Sequence, residues 1–382
     1  MYRKTLQTTV AAAALFAFAG AYSVPASAAD DSFKTGTKAS LTMSGQVNRA
    51  VLFADDGTDS QVFHVDNDNS STRIRWVGKG KVNDNVSMGM VWETQFESNS
   101  TASVNIADHE KEKGELLGQS TFTERKLEWW ISHKDVGKLT LGQGDTASNG
   151  SAEVNFLGQG AMYPGIADTA GGIKFRNSTD PVGGVATGPA INKVWSQHDG
   201  MSRRDRIRVD TRKIAGFVAS ASHIQGDDWD IGLRHSGKFG QFKTKAAIFY
   251  VDLDSRLGGS TGDSLVDGSF AILHDSGLNV TFSFGVQDNK GTRADDEHIY
   301  VALGYIAKLT DVGTTRFGID YGNANDVGQN GDDFTTFGIA VTQNIKDIAA
   351  DLYITFRNHE LDRTGKNFDD INVVLAGGRV KF

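Results

Sequence analysis

Along most of this chain apolar and polar residues alternate with a period of two, the pattern of a sheet whose two faces meet different surroundings. In the first such stretch Leu41, Met43, Val47, Val51 and Phe53 share one face, and Thr42, Ser44, Gln46 and Asn48 the other. Arg49 interrupts the apolar face, a placement that suits a rim or a subunit contact. Ile74, Trp76 and Val82 then alternate with Arg73, Arg75, Lys79 and Lys81, and Val86, Met88, Met90, Trp92 and Phe96 with Ser87, Glu93, Gln95 and Glu97. The cleanest alternation sets Leu278, Val280, Phe282, Phe284 and Val286 against Asn279, Thr281, Ser283 and Gly285. The pattern predicts sixteen strands, over 39–54, 70–82, 85–98, 121–133, 138–144, 203–211, 215–224, 228–236, 241–252, 265–274, 278–288, 296–307, 313–322, 333–343, 349–359 and 370–382.

The connections alternate in length. Short turns at 83–84, 134–137, 275–277 and 344–348 lie at one end of the strands. Longer, polar and acidic connections at 55–69, 98–120, 253–264, 289–295, 323–332 and 361–369 lie at the other. A soluble sandwich has no reason to sort its loops by end. A membrane barrel does, with short turns on one side and long external loops on the other. Closure also satisfies every edge, which lipid cannot do. The expectation is an all-β chain forming a transmembrane antiparallel β-barrel of sixteen strands.

One window departs from the pattern. From Gly142 to Arg203 the chain carries Gly-rich, weakly acidic sequence (Gln143 to Gly150) and a bend at Tyr163-Pro164-Gly165. A connection of about sixty residues far exceeds the usual length and marks function or disorder. We read 143–202 as a long third external loop folded into the lumen, where it narrows the pore.

The start of the chain has the form of an export signal. Arg3 and Lys4 precede an apolar run from Val10 to Tyr22, then Pro25 and the small-residue site Ala26-Ser27-Ala28. The run is too short to span a bilayer. The reading is a signal peptide over 1–28 and an outer-membrane β-barrel over 29–382. Removing the leader takes the formal net charge from −8 to −10. The chain has no cysteine, so neither disulfides nor thiol chemistry are available. Its acidic balance argues against nucleic acid as a partner.

Three stretches carry a family likeness: Gly45-Gln46-Val47-Asn48 in the opening strand, the turn and strand Asp135 to Gln143 leading into the long loop, and the terminal Arg379-Val380-Lys381-Phe382. With sixteen strands and a leader, the chain resembles the general diffusion porins of the Gram-negative outer membrane. The resemblance implies a homotrimer, contacts with outer-membrane lipid and lipopolysaccharide, small hydrophilic solutes and ions as cargo, and no cofactor. It implies that Phe382, in alternation with Val374, Ala376 and Val380, is read by the barrel assembly machinery. It also implies a basic wall facing acids on the inserted loop.

Arg75 matches one family arginine and Arg73 shares its face, while Arg125 matches a second by its distance from the turn. Alternation disagrees there. Leu127, Trp129 and Ile131 form the apolar face, which turns Arg125 outward and Lys126 inward. An arginine facing lipid at mid-bilayer costs about 2–4 kcal/mol, so Lys126 is the favoured lumen group unless a bulge intervenes. Arg206 and Arg208 are candidates for the remaining basic positions, and Asp145, Glu153 and Asp168 for the loop acids. The acidic Pro-Glu-Phe-Gly-Gly tip common in the family is replaced here by Met162-Tyr163-Pro164-Gly165, and Ile173-Lys174-Phe175-Arg176 reads as a strand of the insert.

Other readings have weaker support. The acid clusters at Asp66–Asn69, Gly226–Asp228 and Gly331–Asp333 lack the spacing and closing Glu of a calcium loop. Gly142-Gln143-Gly144 opens no helix, so no dinucleotide site follows, and the nine His form no metal-ligand pair at i, i+4. A substrate-selective channel would show a lumen aromatic ladder or a dense basic track. An enzyme embedded in the barrel would need Ser, His and an acid brought together. Acids in the external loops, Asp55, Asp56, Asp59, Asp66, Asp68, Asp295, Asp296, Glu297, Asp332, Asp333, Asp369 and Asp370, predict a mild cation preference opposed by Arg73 and Arg75 at the constriction.

Overall fold

A computed structural model of the chain describes residues 33–34, 39–109, 122–158, 162–253 and 262–382. The leader proposed at 1–28 lies outside the described residues, as do parts of the connections at 98–120 and 253–264. Antiparallel ladders join each strand to the next, and Ile371–Lys381 closes the circle on Ala39–Asp55. Among the described residues sixteen strand positions make up the wall. The short Phe33–Lys34 segment pairs outside this count, and two segments share the second position.

That second position is the main departure from expectation. Ser60–Asp66 and Arg73–Lys81 both pair with Ala39–Asp55, so the Ser60–Asp66 part of the connection read over 55–69 is wall rather than loop. Between the two pieces the chain leaves the ladder in a single turn at Asp68–Ser70. Unpaired backbone inside a protein must find partners, and two inward amides supply them. Gln46 Nε2 donates to the carbonyls of Ser70 (2.8 Å) and Ser71 (2.9 Å), and Asn48 Nδ2 to that of Ser70 (2.9 Å). The other wall strands lie within a few residues of their sequence-based positions. Segment 171–177 joins no barrel ladder; Lys174 bridges Ala190 and Asn177 bridges Phe368.

Outward side chains are apolar and exposed, as lipid requires: Val47, Val51 and Phe53, then Val280 and Phe282, then Ile354 and Phe356. The inner face is polar on one side only. Leu52, Ala54, Ala302, Phe334, Val373 and Leu375 also point inward, and they are buried against Ile166, Ile173, Phe175, Ile191 and Trp195 of the insert. This part of the lumen is therefore a packed core, and both faces of the wall are apolar where the insert covers it.

At the seam the last residue pairs with the first strand. Phe382 N donates to Gly45 O (3.0 Å) and Gly45 N to Phe382 O (2.8 Å). The Phe382 ring lies 2.5 Å from where a Cβ on residue 45 would stand, so only glycine fits beneath it.

Candidate functional site

Asp145 and Arg203 face each other at the last rung between the fifth strand (Gly137–Asp145) and the sixth (Arg203–Thr211). The chain between them turns into the barrel, held at its root by side chains of the inner wall. Arg234 donates to the carbonyls of Ala147 (2.9 Å), Asn149 (2.6 Å) and Gly150 (3.1 Å). Asp230 accepts from the backbone N–H of Ser148 (2.8 Å) and from its hydroxyl (2.6 Å). Arg206 pairs with Glu128 and donates to Asp145 O, while Arg208 pairs with Asp210 and donates to Thr146 O. Both sit where sequence put them, on the inner face, but they brace the root of the insert.

Deeper in, the Trp195 indole donates to Pro164 O (3.1 Å), Thr169 bonds Asn69 in the break of the second strand, and Thr101 donates to Asp168 O. The insert then rises again towards the long-loop end. There Arg176, buried, binds Asp56 and Asp59. Asp369 N donates to Arg176 O, and Ser178 N to Asn367 O.

Opposite the insert stands a cluster of cations. Arg73 (3.6 Å), Arg75 and Arg125 (2.7 Å) converge on Glu93, whose side chain has no exposure. Beside it Lys126 and Arg203 (3.3 Å) share Asp145. Five cations thus face two carboxylates. Arg75 keeps 34% of its side-chain exposure and Arg203 26%, so the excess charge borders water.

The placement of Arg125 corrects the alternation. Glu93 pairs with Lys126 but Thr94 with Glu124, a bulge that leaves Arg125 as the extra residue. Arg125 bonds Glu93 and Gln95 on the inner face, so Arg125 and Lys126 both point inward. No arginine meets lipid here.

The acids proposed on the loop divide. Asp145 ends a wall strand and serves Lys126 and Arg203. Glu153 and Asp168 belong to the insert, and the Tyr163 hydroxyl lies 2.9 Å from a carboxylate oxygen of each. Burial, with Asp199 and Asp168 nearby, pushes the Glu153 carboxyl up to about 8. Burial, with Asp68 nearby, pushes Asp168 up to about 7. On the return limb, Asp199 accepts from the N–H groups of Gly150 (2.8 Å) and Ala152 (2.9 Å), and burial raises its carboxyl too.

Comparison with known proteins decides what this arrangement is. A family model described as Gram-negative porin matches residues 9–364. The chain belongs to the Gram-negative porins. It is an outer-membrane diffusion channel built as a sixteen-stranded antiparallel barrel. No curated protein sequence matches it. Among solved structures this porin is similar to OmpT, an outer membrane protein of Vibrio cholerae, at 13% identity and TM-score 0.57, covering 92% of this chain and 100% of that one. It is similar to the anion-selective porin from Comamonas acidovorans at 14% identity and TM-score 0.58, covering 90% and 100%. It is also similar to Salmonella typhi OmpF, solved with daunomycin, at 12% identity and TM-score 0.55, covering 90% and 98%. At these identities the likeness is one of fold.

Several residues of this charged cluster are not assigned by the sequence. Glu93 lay on a predicted polar face, but its role as the common counter-ion of three arginines depends on the Arg125 bulge. Arg203 and Arg234 follow from pairing across the insert, which no local pattern encodes. Among the described residues no group of three His, Cys, Asp or Glu could hold a metal ion. One line of side chains has the outline of a nucleophilic relay: Ser283 Oγ to His298 Nε2 (3.2 Å) and His298 Nδ1 to His198 Nδ1 (3.0 Å). It contains no acid, and all three residues are buried, His198 on the insert itself and Ser283 and His298 on the wall.

Proposed function

We propose that this porin admits small hydrophilic solutes through a gap between the insert at 146–202 and the wall formed by Arg73, Arg75, Arg125, Lys126 and Arg203, and that the gap favours anions. The observation that carries this is the imbalance of five cations over two carboxylates beside exposed arginine surface. Charges in a narrow gap with low-dielectric walls act more strongly than in bulk water. The mild cation preference expected from sequence rested on free acids at the mouth. Many of these have partners: Asp56 and Asp59 bind Arg176, Asp332 binds Arg363 (2.6 Å), and Asp296 binds Arg293 (3.1 Å). The buried Ser283–His298–His198 line offers no route to a substrate, which favours the channel over a barrel-embedded enzyme.

Purified protein in planar bilayers tests both parts. Conductance that rises in steps of three supports open pores in a homotrimer, the assembly named for the trimer form of Vibrio cholerae OmpT. A reversal potential in a salt gradient should report anion preference. In the Arg73→Ser/Arg75→Ser variant that preference should fall or invert, and less so at high salt, where exposed charges are screened. Unchanged selectivity would remove both arginines from the ion path.

The mature protein in this reading is 29–382 after loss of the leader, seated among outer-membrane lipid and lipopolysaccharide. Phe382 is proposed as the mark recognised by the assembly machinery. Deleting it removes one pair of backbone hydrogen bonds at the seam yet should cut surface levels sharply. Normal amounts of assembled protein in that variant would reject the role.

A further inference from the structure

We propose that Glu153, Tyr163 and Asp168 hold one shared proton on the insert side of the constriction, so that its loss adds one negative charge to this face and moves the pore towards cations. The charge switch rests on the reading that 146–202 borders the ion path; the shared proton does not.

The argument begins with hydrogen counting. A phenol has one proton to give. Tyr163 Oη lies 2.9 Å from Glu153 Oε1 and 2.9 Å from Asp168 Oδ2. If both carboxylates were ionised, only one could receive that proton, and the other would press its charge against the lone pairs of the phenol oxygen. Both contacts become hydrogen bonds when one carboxyl is protonated and donates to Tyr163 while Tyr163 donates to the other. Gln197 Nε2 donates to Glu153 Oε1 (2.7 Å), fixing the carboxyl that the phenol meets. The proton belongs to the pair, because two carboxyls linked through one hydroxyl titrate together.

The surroundings support a retained proton. Asp199 on the return limb and Asp68 in the break of the second strand add negative charge nearby, and Arg203 and Arg125 of the wall oppose it. Burial adds to the cost of a second charge, and both carboxyls titrate far above the ordinary range. Tyr163 is itself buried, and the same environment holds its phenol well above its usual value, so it remains the donor throughout. Tyr163 therefore helps to set the charge of the selectivity region without carrying charge itself.

Two measurements on the purified, folded porin test this. Infrared difference spectra at neutral pH should contain the stretch of a protonated carboxyl that is absent from the Glu153→Gln/Asp168→Asn variant. Reversal potentials taken from mildly acidic to mildly alkaline pH should move towards cations in a single one-proton step. Glu153→Gln or Asp168→Asn, each leaving one carboxyl, should remove that step from the neutral range. Tyr163→Phe, which keeps both carboxyls but takes away the donor, should move the step to higher pH. The same infrared band in wild type and the double variant overturns the shared proton, whatever the conductance. A band that behaves as expected beside a pH-independent reversal potential overturns the charge switch and the constriction reading together.

Discussion

Replacing residues 146–202 with a two-residue Asn-Gly turn should raise single-channel conductance severalfold and admit larger solutes. Asp145 and Arg203 are already paired neighbours at the last rung, so a tight hairpin can join them without moving either strand. None of the wall ladders includes the insert, and the barrel should still close between Ile371–Lys381 and Ala39–Asp55. The change has a cost. Leu52, Phe334, Val373 and Leu375 lose their apolar partners and meet water, at about 25 cal/mol for each Å² uncovered. The variant should therefore unfold at a lower temperature while conducting more. Liposome swelling with sugars of increasing size gives the solute limit, and bilayer recordings give the conductance. Unchanged conductance in a folded variant would mean that the insert does not narrow the pore.

The same packing explains which parts of the fold were legible in the sequence. Strands facing lipid on one side and water on the other keep a clean alternation, and their positions follow from it. Ser60–Asp66 does not. Its outward face carries Val62 between Ser60 and His64 while its inward Phe63 and Val65 are buried, so apolar residues fall on both faces and the signal disappears into an acidic stretch. The bulge at Arg125 is hidden for a different reason. An extra residue shifts the phase of alternation, and a single sequence does not say on which side of the shift a residue falls. The basic wall was found in outline because Arg73 and Arg75 share one strand face. Of its counter-ions, Asp145 is among the acids read from the sequence, whereas Glu93 emerges only from the pairing that sets it opposite Lys126. The link between Tyr163 and the two insert acids was not legible at all, since it depends on the path of the insert inside the barrel.

Arg176 is where that path is fastened to the external loops, and its loss should free the upper part of the insert. The guanidinium is 2% exposed and makes five hydrogen bonds: to Asp56 Oδ1 (3.0 Å) and Oδ2 (2.9 Å), to Asp59 (2.7 Å), and to the carbonyls of Pro181 (3.2 Å) and Gly184 (3.1 Å). Arg176→Ala leaves Asp56 buried with its charge unpaired, a situation that costs about 3–5 kcal/mol. The penalty falls on a local unit, because the backbone of residues 176–178 bonds to the 367–369 connection and to Asp180 and takes no part in the wall ladders. The barrel should remain folded while the exposed tip around Val182 and Val185 becomes sensitive to protease added outside intact cells. Channel recordings should become noisier, as the upper limb moves across the mouth. Adding Asp56→Asn should restore part of the protease resistance, since the stranded charge is then removed with its partner. If Arg176→Ala resists protease as well as the parent does, the buried arginine is not what holds the insert in place.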